Sequence, residues 1–146
     1  MDEYLNKVKN EVKRVDHLFF VSLKYTRTVD VIRSVIDRMI NALGFGIDAL
    51  LEKAKKTKIP PSPRLRAELA RELYASDKKL IDFIEFYILL RKIIKAKYTK
   101  KEEYRRHVAM ITEIAPESYL EVNIDLLNEY YTKIKDFVEY LQELLK

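Results

Sequence analysis

The sequence predicts an all-α fold, a single-domain antiparallel helical bundle of about five or six helices covering residues 1–146. Three observations carry that expectation. The last segment repeats Leu120, Ile124, Leu127, Tyr131, Ile134, Val138, Leu141 and Leu145 at alternating four- and three-residue steps without an intervening Gly or Pro. Such an apolar seam needs packing partners. The chain has only two Gly and four Pro, too few for a turn-rich β-sandwich, and its Lys, Glu, Leu and Ile favour helix intrinsically. At 146 residues and 48% hydrophobic, it can fill one self-sufficient core but not two ordinary domains.

The elements follow in order. Leu5, Val8, Val12, Val15 and Phe19 predict a first helix from about residue 3 into the low twenties. A second series, Val29, Ile32, Ile36, Met39 and Leu43, does not continue the first in phase. A turn near Tyr25 to Thr28 therefore separates them, although neither Gly nor Pro marks it and one long bent helix is the alternative. Gly44 and Gly46 interrupt the second series at a cost of about 2 kcal/mol relative to alanine, which predicts a kink or a close helix contact rather than backbone bared for a ligand. The pattern resumes through Leu51 to Lys56, and the Pro-rich stretch 59–63 stops it.

Ser62 before Pro63 is an N-cap with proline at the first helical position, opening a short helix to about Tyr74. Ser76-Asp77 starts the next. From Leu80 to Ile94 apolar residues lie nearly all round, leaving Lys78, Asp82, Glu85 and Lys92 as a narrow polar strip, which predicts the central helix of the bundle. Thr99-x-x-Glu102 and Ser118-x-x-Glu121 have capping-box spacing and mark the starts of the last two helices. Pro116 ends the first of these. In the last helix Tyr130, Phe137 and Leu144 add a second apolar row beside the seam, more surface than one neighbour covers, and so a candidate interface for a protein partner or a second copy of the chain.

The net charge of +5 is local. Residues 91–106 hold Arg91, Lys92, Lys95, Lys97, Lys100, Lys101, Arg105 and Arg106 against Glu102 and Glu103, a surplus of six, whereas residues 113–146 carry a deficit of five. A second basic run, Lys53, Lys55, Lys56, Lys58, Arg64 and Arg66, flanks the prolines. Lys97, Lys100, Lys101, Arg105 and Arg106 beside Tyr98 and Tyr104 are the residue types that contact phosphates and stack on bases. The alternative is that acidic residues neutralise this segment within the fold.

Chemistry is sparse. Without Cys there is no disulfide, thiolate metal site or cysteine nucleophile, and two histidines without Glu-x-x-His give no dinuclear carboxylate site. No metal and no cofactor are expected. His107, on one predicted helical face with Tyr104, Val108, Ile111 and Ile114, is the weak catalytic candidate, a general acid or base beside Arg105 and Arg106; the alternative is a boundary histidine packed on tyrosine. Asp16-His17 and Glu103/His107 could each pair. Asp30, Arg33 and Asp37 share a face with Arg27 and Arg38 close by, reading as surface ion pairs or, if Arg33 turns inward, a paired network.

A small helical chain with a basic segment and a late histidine resembles the HEPN superfamily, whose RNases carry Arg-x4-6-His. Here the positions before His107 are Lys100, Lys101 and Glu102, and before His17 they are Asn10 to Val12, so the arginine is missing. The stretch from Asp16 to Asp30, continuing through Ile47, is similar to a segment of uncharacterised archaeal helical proteins, which implies a helical fold and a cytoplasmic setting and transfers no site residues.

Met1 to Lys9 carries charges where a secretory signal places its apolar region, and no stretch reaches the roughly 20 apolar residues of a membrane span. A cytoplasmic protein without a membrane role is expected. Absent Cys, one Gln and 35% charged residues resemble thermophile compositions. The functional expectation is a non-enzymatic interaction or scaffold module. The alternative is an RNA-binding or HEPN-like RNase domain using residues 91–106 and His107.

Overall fold

A computed structural model describes residues 2–54 and 58–146. Helix α1 (Asp2–His17) runs on through a π-helical turn (Leu18–Ser22), closed by the Leu23 amide donating to the Leu18 carbonyl, into a last turn (Leu23–Tyr25). The chain then breaks for α2 (Val29–Lys53), α3 (Pro63–Leu73) and α4 (Lys78–Lys95). Three strands follow, β1 (Tyr98–Lys101), β2 (Ala109–Ala115) and β3 (Ser118–Asn123), and then α5 (Ile124–Leu144). Residues 55–57, including the predicted continuation to Lys56, lie outside the described residues.

The all-α expectation is corrected here. Residues 98–123 form an antiparallel sheet in the order β1-β2-β3, with Thr99 opposite Ile111, and Met110 opposite Val122. The β-branched Ile111, Thr112 and Ile114 fit a pleated surface, and along β3 exposed Tyr119 and Glu121 alternate with more buried Leu120 and Val122. That period of two marks a sheet with one wet face. Both connections hide their turn chemistry, because the left-handed positions fall on Glu102 (φ 51°), Tyr104 (φ 65°) and Glu117 (φ 59°) rather than on Gly. Neither predicted capping box opens a helix: Thr99, Ser118 and Glu121 are strand residues and Glu102 lies in the β1–β2 connection. The last helix instead starts at Asn123, whose side chain accepts a hydrogen bond from the Leu126 amide at 2.8 Å.

Other boundaries fall where the sequence places them. Ser62 caps α3 through the Leu65 amide, with Pro63 in its first turn, and Asp77 caps α4 through the Leu80 amide. The turn between α1 and α2 is real and is capped twice. The Thr28 hydroxyl accepts from the Val31 amide, and Glu103, from the β1–β2 connection, accepts from the Val29 amide at 2.9 Å.

The central helix is α2, not α4. It packs against the other four helices and β2, and its buried residues run from Val29 to Leu51, whereas α4 keeps Lys78, Asp82, Glu85 and Lys92 exposed. The two glycines sit in this central helix and do different work. A methyl group at Gly46 would lie 2.3 Å from Phe137 Cζ, so the absence of a side chain lets the ring rest on the α2 backbone. At Gly44 a methyl would meet Tyr87 at an ordinary 3.6 Å. Gly44→Ala is therefore expected to stabilise the fold by about 0.5–1 kcal/mol through helix propensity, read as a rise in the denaturation midpoint. A fall would mean that Tyr87 needs the space.

Thr112 is buried on β2, its hydroxyl donating to the Ile93 carbonyl at 3.3 Å with the Lys97 carbonyl at 3.4 Å. It thereby satisfies the Ile93 carbonyl in the last turn of α4. The sheet is thus fastened to the helical layer by a polar contact as well as by Val108, Met110 and Val122 in the apolar core.

Candidate functional site

Of the predicted nucleic-acid residues, Lys97 lies between α4 and β1 and the others lie on β1 and the connection after it, where Lys100 and Lys101 are already engaged. Lys100 pairs with Asp30 at 3.7 Å and Glu103 at 3.5 Å, and Lys101 with Glu121 at 3.0 Å. The Asp30 charge raises the Lys100 pKa, with Glu103 adding to it; the hydrogen bond to Glu121 raises that of Lys101. The Tyr104 amide donates to the Arg27 carbonyl at 2.6 Å, and Arg27 reaches the Arg106 carbonyl at 3.4 Å, so this connection closes over the α1–α2 turn. Lys97, Tyr104, Arg105 and Arg106 stay exposed.

His107 is exposed in a cleft of about 420 Å³ beside Arg27, Lys101 and Arg106, but also Glu102, Glu121 and Asp125. Three cations against three carboxylates leave no surplus for a phosphate. The sequence pairs dissolve as well. Asp16 accepts a hydrogen bond from Tyr131, not His17, and Glu103 serves Val29 and Lys100, not His107. Arg33 joins no carboxylate among the described residues. It donates to the Ile94 carbonyl at 3.0 Å, drawn by the negative end of α4, and lies over the Tyr98 ring at 4.2 Å.

The second row of the last helix is spent inside the fold. Phe137 is buried against Gly46 and stands edge-on to Phe83 at 5.2 Å; half-buried Tyr130 meets Phe86 at 5.1 Å, and Leu144 packs at the core margin.

The positive surplus collects elsewhere. Three adjoining depressions meet at Arg91 on α4. The widest, about 780 Å³, lies between α1, α2 and α4, bordered by Lys13, Arg14, His17, Arg38 and Arg91, with Asp37. A neck of about 180 Å³ passes Phe45, Tyr87, Asp48 and Arg66. The far section, about 470 Å³, is edged by Arg64, Arg91, Lys92 and Lys95, with Glu113. Eight lysines and arginines face three carboxylates along this trough.

Some of that charge is tied down. Glu11, buried behind the wide section, pairs with Arg38 at 3.4 Å and Arg14 at 3.6 Å. Arg64 pairs with Glu68, and Arg66 with Asp48, whose pKa is raised by burial against the pull of Arg66. Lys13, Arg91, Lys92 and Lys95 have no carboxylate within 4 Å among the described residues. Tyr87 is buried in the neck wall, and its hydroxyl has no hydrogen-bond partner among the described residues.

Sequence reasoning found pieces of this trough without joining them. Arg91, Lys92 and Lys95 lie in the basic segment and Arg64 and Arg66 in the second basic run, but Lys13 and Arg14 are 77 or more residues away from Arg91 and carried no signal. Arg38 was legible only as a neighbour of the Asp30 series. Only the packing of α1 and α4 on α2 brings these cations to one surface.

Among the described residues no three His, Cys, Asp or Glu side chains gather to hold a metal, and no helix is long and apolar enough to cross a membrane. Neither a family model, nor a curated protein, nor a solved structure matches the chain.

Proposed function

We propose that the protein binds single-stranded nucleic acid, RNA in the first instance, along the trough centred on Arg91. The observation that supports this reading is the concentration around depressions that meet at Arg91 of cations from four helices, including four that no carboxylate among the described residues holds. Phosphate neutralisation is the main source of non-specific nucleic-acid affinity, and single-strand sites combine a charged groove with aromatic walls. Here half-buried Phe45 provides an aromatic wall, while Tyr87 is buried and only borders the neck. Aromatic and apolar lining among the cations suits a strand whose bases are unpaired. The interaction-module alternative is less favoured, because Phe137 is buried within the chain and Tyr130 and Leu144 are partly buried against its core.

The test is fluorescence anisotropy with a labelled 12-nucleotide RNA between about 50 and 200 mM salt. Changing Arg91, Lys92 and Lys95 together to Glu is expected to weaken binding at least about tenfold and to flatten the log–log salt slope by about 2, since each single-strand phosphate contact contributes about 0.7. Changing Lys100 and Lys101 to Glu is expected to alter affinity less than about twofold, because those lysines are paired. Binding that ignores salt, or that the triple change leaves intact, overturns the proposal.

A further inference from the structure

We infer that the wide section of the trough is a subsite for a terminal phosphomonoester, so that the strand is gripped by its phosphorylated end; this rests on the reading of the trough as a nucleic-acid site. Its cations differ in kind and support from those beyond the neck. Arg14 and Arg38 are steadied from behind by Glu11, which is 8% exposed, while both arginine side chains keep substantial exposure. A planar guanidinium fork matches the oxygens of a phosphate in a bidentate manner, whereas lysine acts as a movable point charge. The far section adds Lys92 and Lys95 to Arg91 and to Arg64, whose partner Glu68 is itself partly exposed, so its charges are less firmly braced, which suits passing diesters.

The charge balance accommodates the same assignment, and the far section, counted the same way, carries an equal surplus. Lys13, Arg14, Arg38 and Arg91 less Asp37 and the supporting Glu11 leave two positive charges. A phosphomonoester at neutral pH carries about −1.5 to −2, whereas an internal diester carries one negative charge. Ser34 and Asn41 add neutral hydrogen-bonding groups, and Leu18, Ile40 and Ile94 give an apolar wall for the adjoining nucleoside. The section's volume, about 780 Å³, lies within the usual range of small-molecule sites.

The neck then separates end from strand. Its Asp48–Arg66 pair is neutral overall, so it holds no second phosphate strongly. The unpartnered Tyr87 hydroxyl is placed to hydrogen-bond a ribose or base as the chain passes.

Three versions of one 12-nucleotide RNA, with a 5′-phosphate, a 3′-phosphate or hydroxyls at both ends, separate the possibilities at fixed salt and pH 7.5. One phosphorylated end is expected to bind at least about fivefold more tightly than the hydroxyl form, and which end does so sets strand polarity. Arg38→Gln is expected to reduce that ratio towards one. Lys13→Gln, at an exposed position, should reduce it partly and serves should Arg38→Gln fail to fold. Equal affinity for all three RNAs overturns the terminal subsite and leaves the trough reading standing. Binding of none of them overturns both.

Discussion

Phe137→Ala is expected to remove about 3–5 kcal/mol of stability, the usual range for truncating a buried phenylalanine, and to lower Tm by about 6–20 °C. The ring is 2% exposed, lies edge-on to Phe83 and rests on the α2 backbone at Gly46. Its removal leaves a cavity between the central helix and the last one that rigid backbone cannot close. The converse change tests the same contact. In Gly46→Ala the new methyl meets Phe137 Cζ at 2.3 Å and Cε2 at 2.5 Å, forcing a core ring to move. Such overpacking costs about 1–3 kcal/mol, which exceeds or cancels the roughly 1 kcal/mol gained in helix propensity.

Combining Gly46→Ala with Phe137→Leu should recover part of the loss, because the smaller side chain clears the methyl. Additive losses in the double-mutant cycle would show that the two positions do not touch energetically. A stabilised Gly46→Ala protein, like that expected for Gly44→Ala, would contradict the packing outright.

Tyr131→Phe is expected to cost about 1.5–3 kcal/mol, the range for a hydrogen bond to a charged group, and to change how the protein responds to alkali. The Tyr131 hydroxyl donates to Asp16 on α1, while the ring stacks on Phe19 at 5.4 Å and carries Lys135 over its face at 4.5 Å. Burial, then the bond to Asp16 and its charge, push the phenol up to about 12. A folded-state value above the unfolded one of about 10 means that the native state holds this proton more tightly. The stabilisation is therefore complete below about pH 10 and is lost as pH rises through about 12.

Urea midpoints measured for the wild type and Tyr131→Phe at pH 8 and again above pH 10 read the difference directly, since the lysines titrating in that range are common to both. The gap between the two proteins should narrow at high pH. A gap that stays constant would show that the phenol loses no proton preferentially on unfolding.

The helical half of the molecule was legible because each signal is local. Val8 and Val15, the Ser62-Pro63 and Asp77 starts, and the spacing of Leu127, Tyr131, Ile134 and Leu141 all act within one or two turns of helix. Residues 98–123 misled for a physical reason. Thr99-x-x-Glu102 and Ser118-x-x-Glu121 satisfy a capping-box pattern, while the turns that make them strands place Glu102, Tyr104 and Glu117 at positive φ without the Gly that would announce it. The sheet gains its hold on the fold from nonlocal contacts such as Thr112 to Ile93 and Glu103 to Val29, which no short window of sequence contains.

The same division governs the site. Composition and spacing by themselves pointed to helix along the whole chain, which holds outside residues 98–123, and determined that its charge is unevenly spread. Only the tertiary structure decided which cations remain free. Glu121, Asp30 and Glu103 close on Lys100 and Lys101, while α1 and α4, packed on the central helix, bring Lys13, Arg14, Arg38 and Arg91 around one depression. Charge along a chain is additive, but the field at a surface depends on distance in space, and the fold sets that distance.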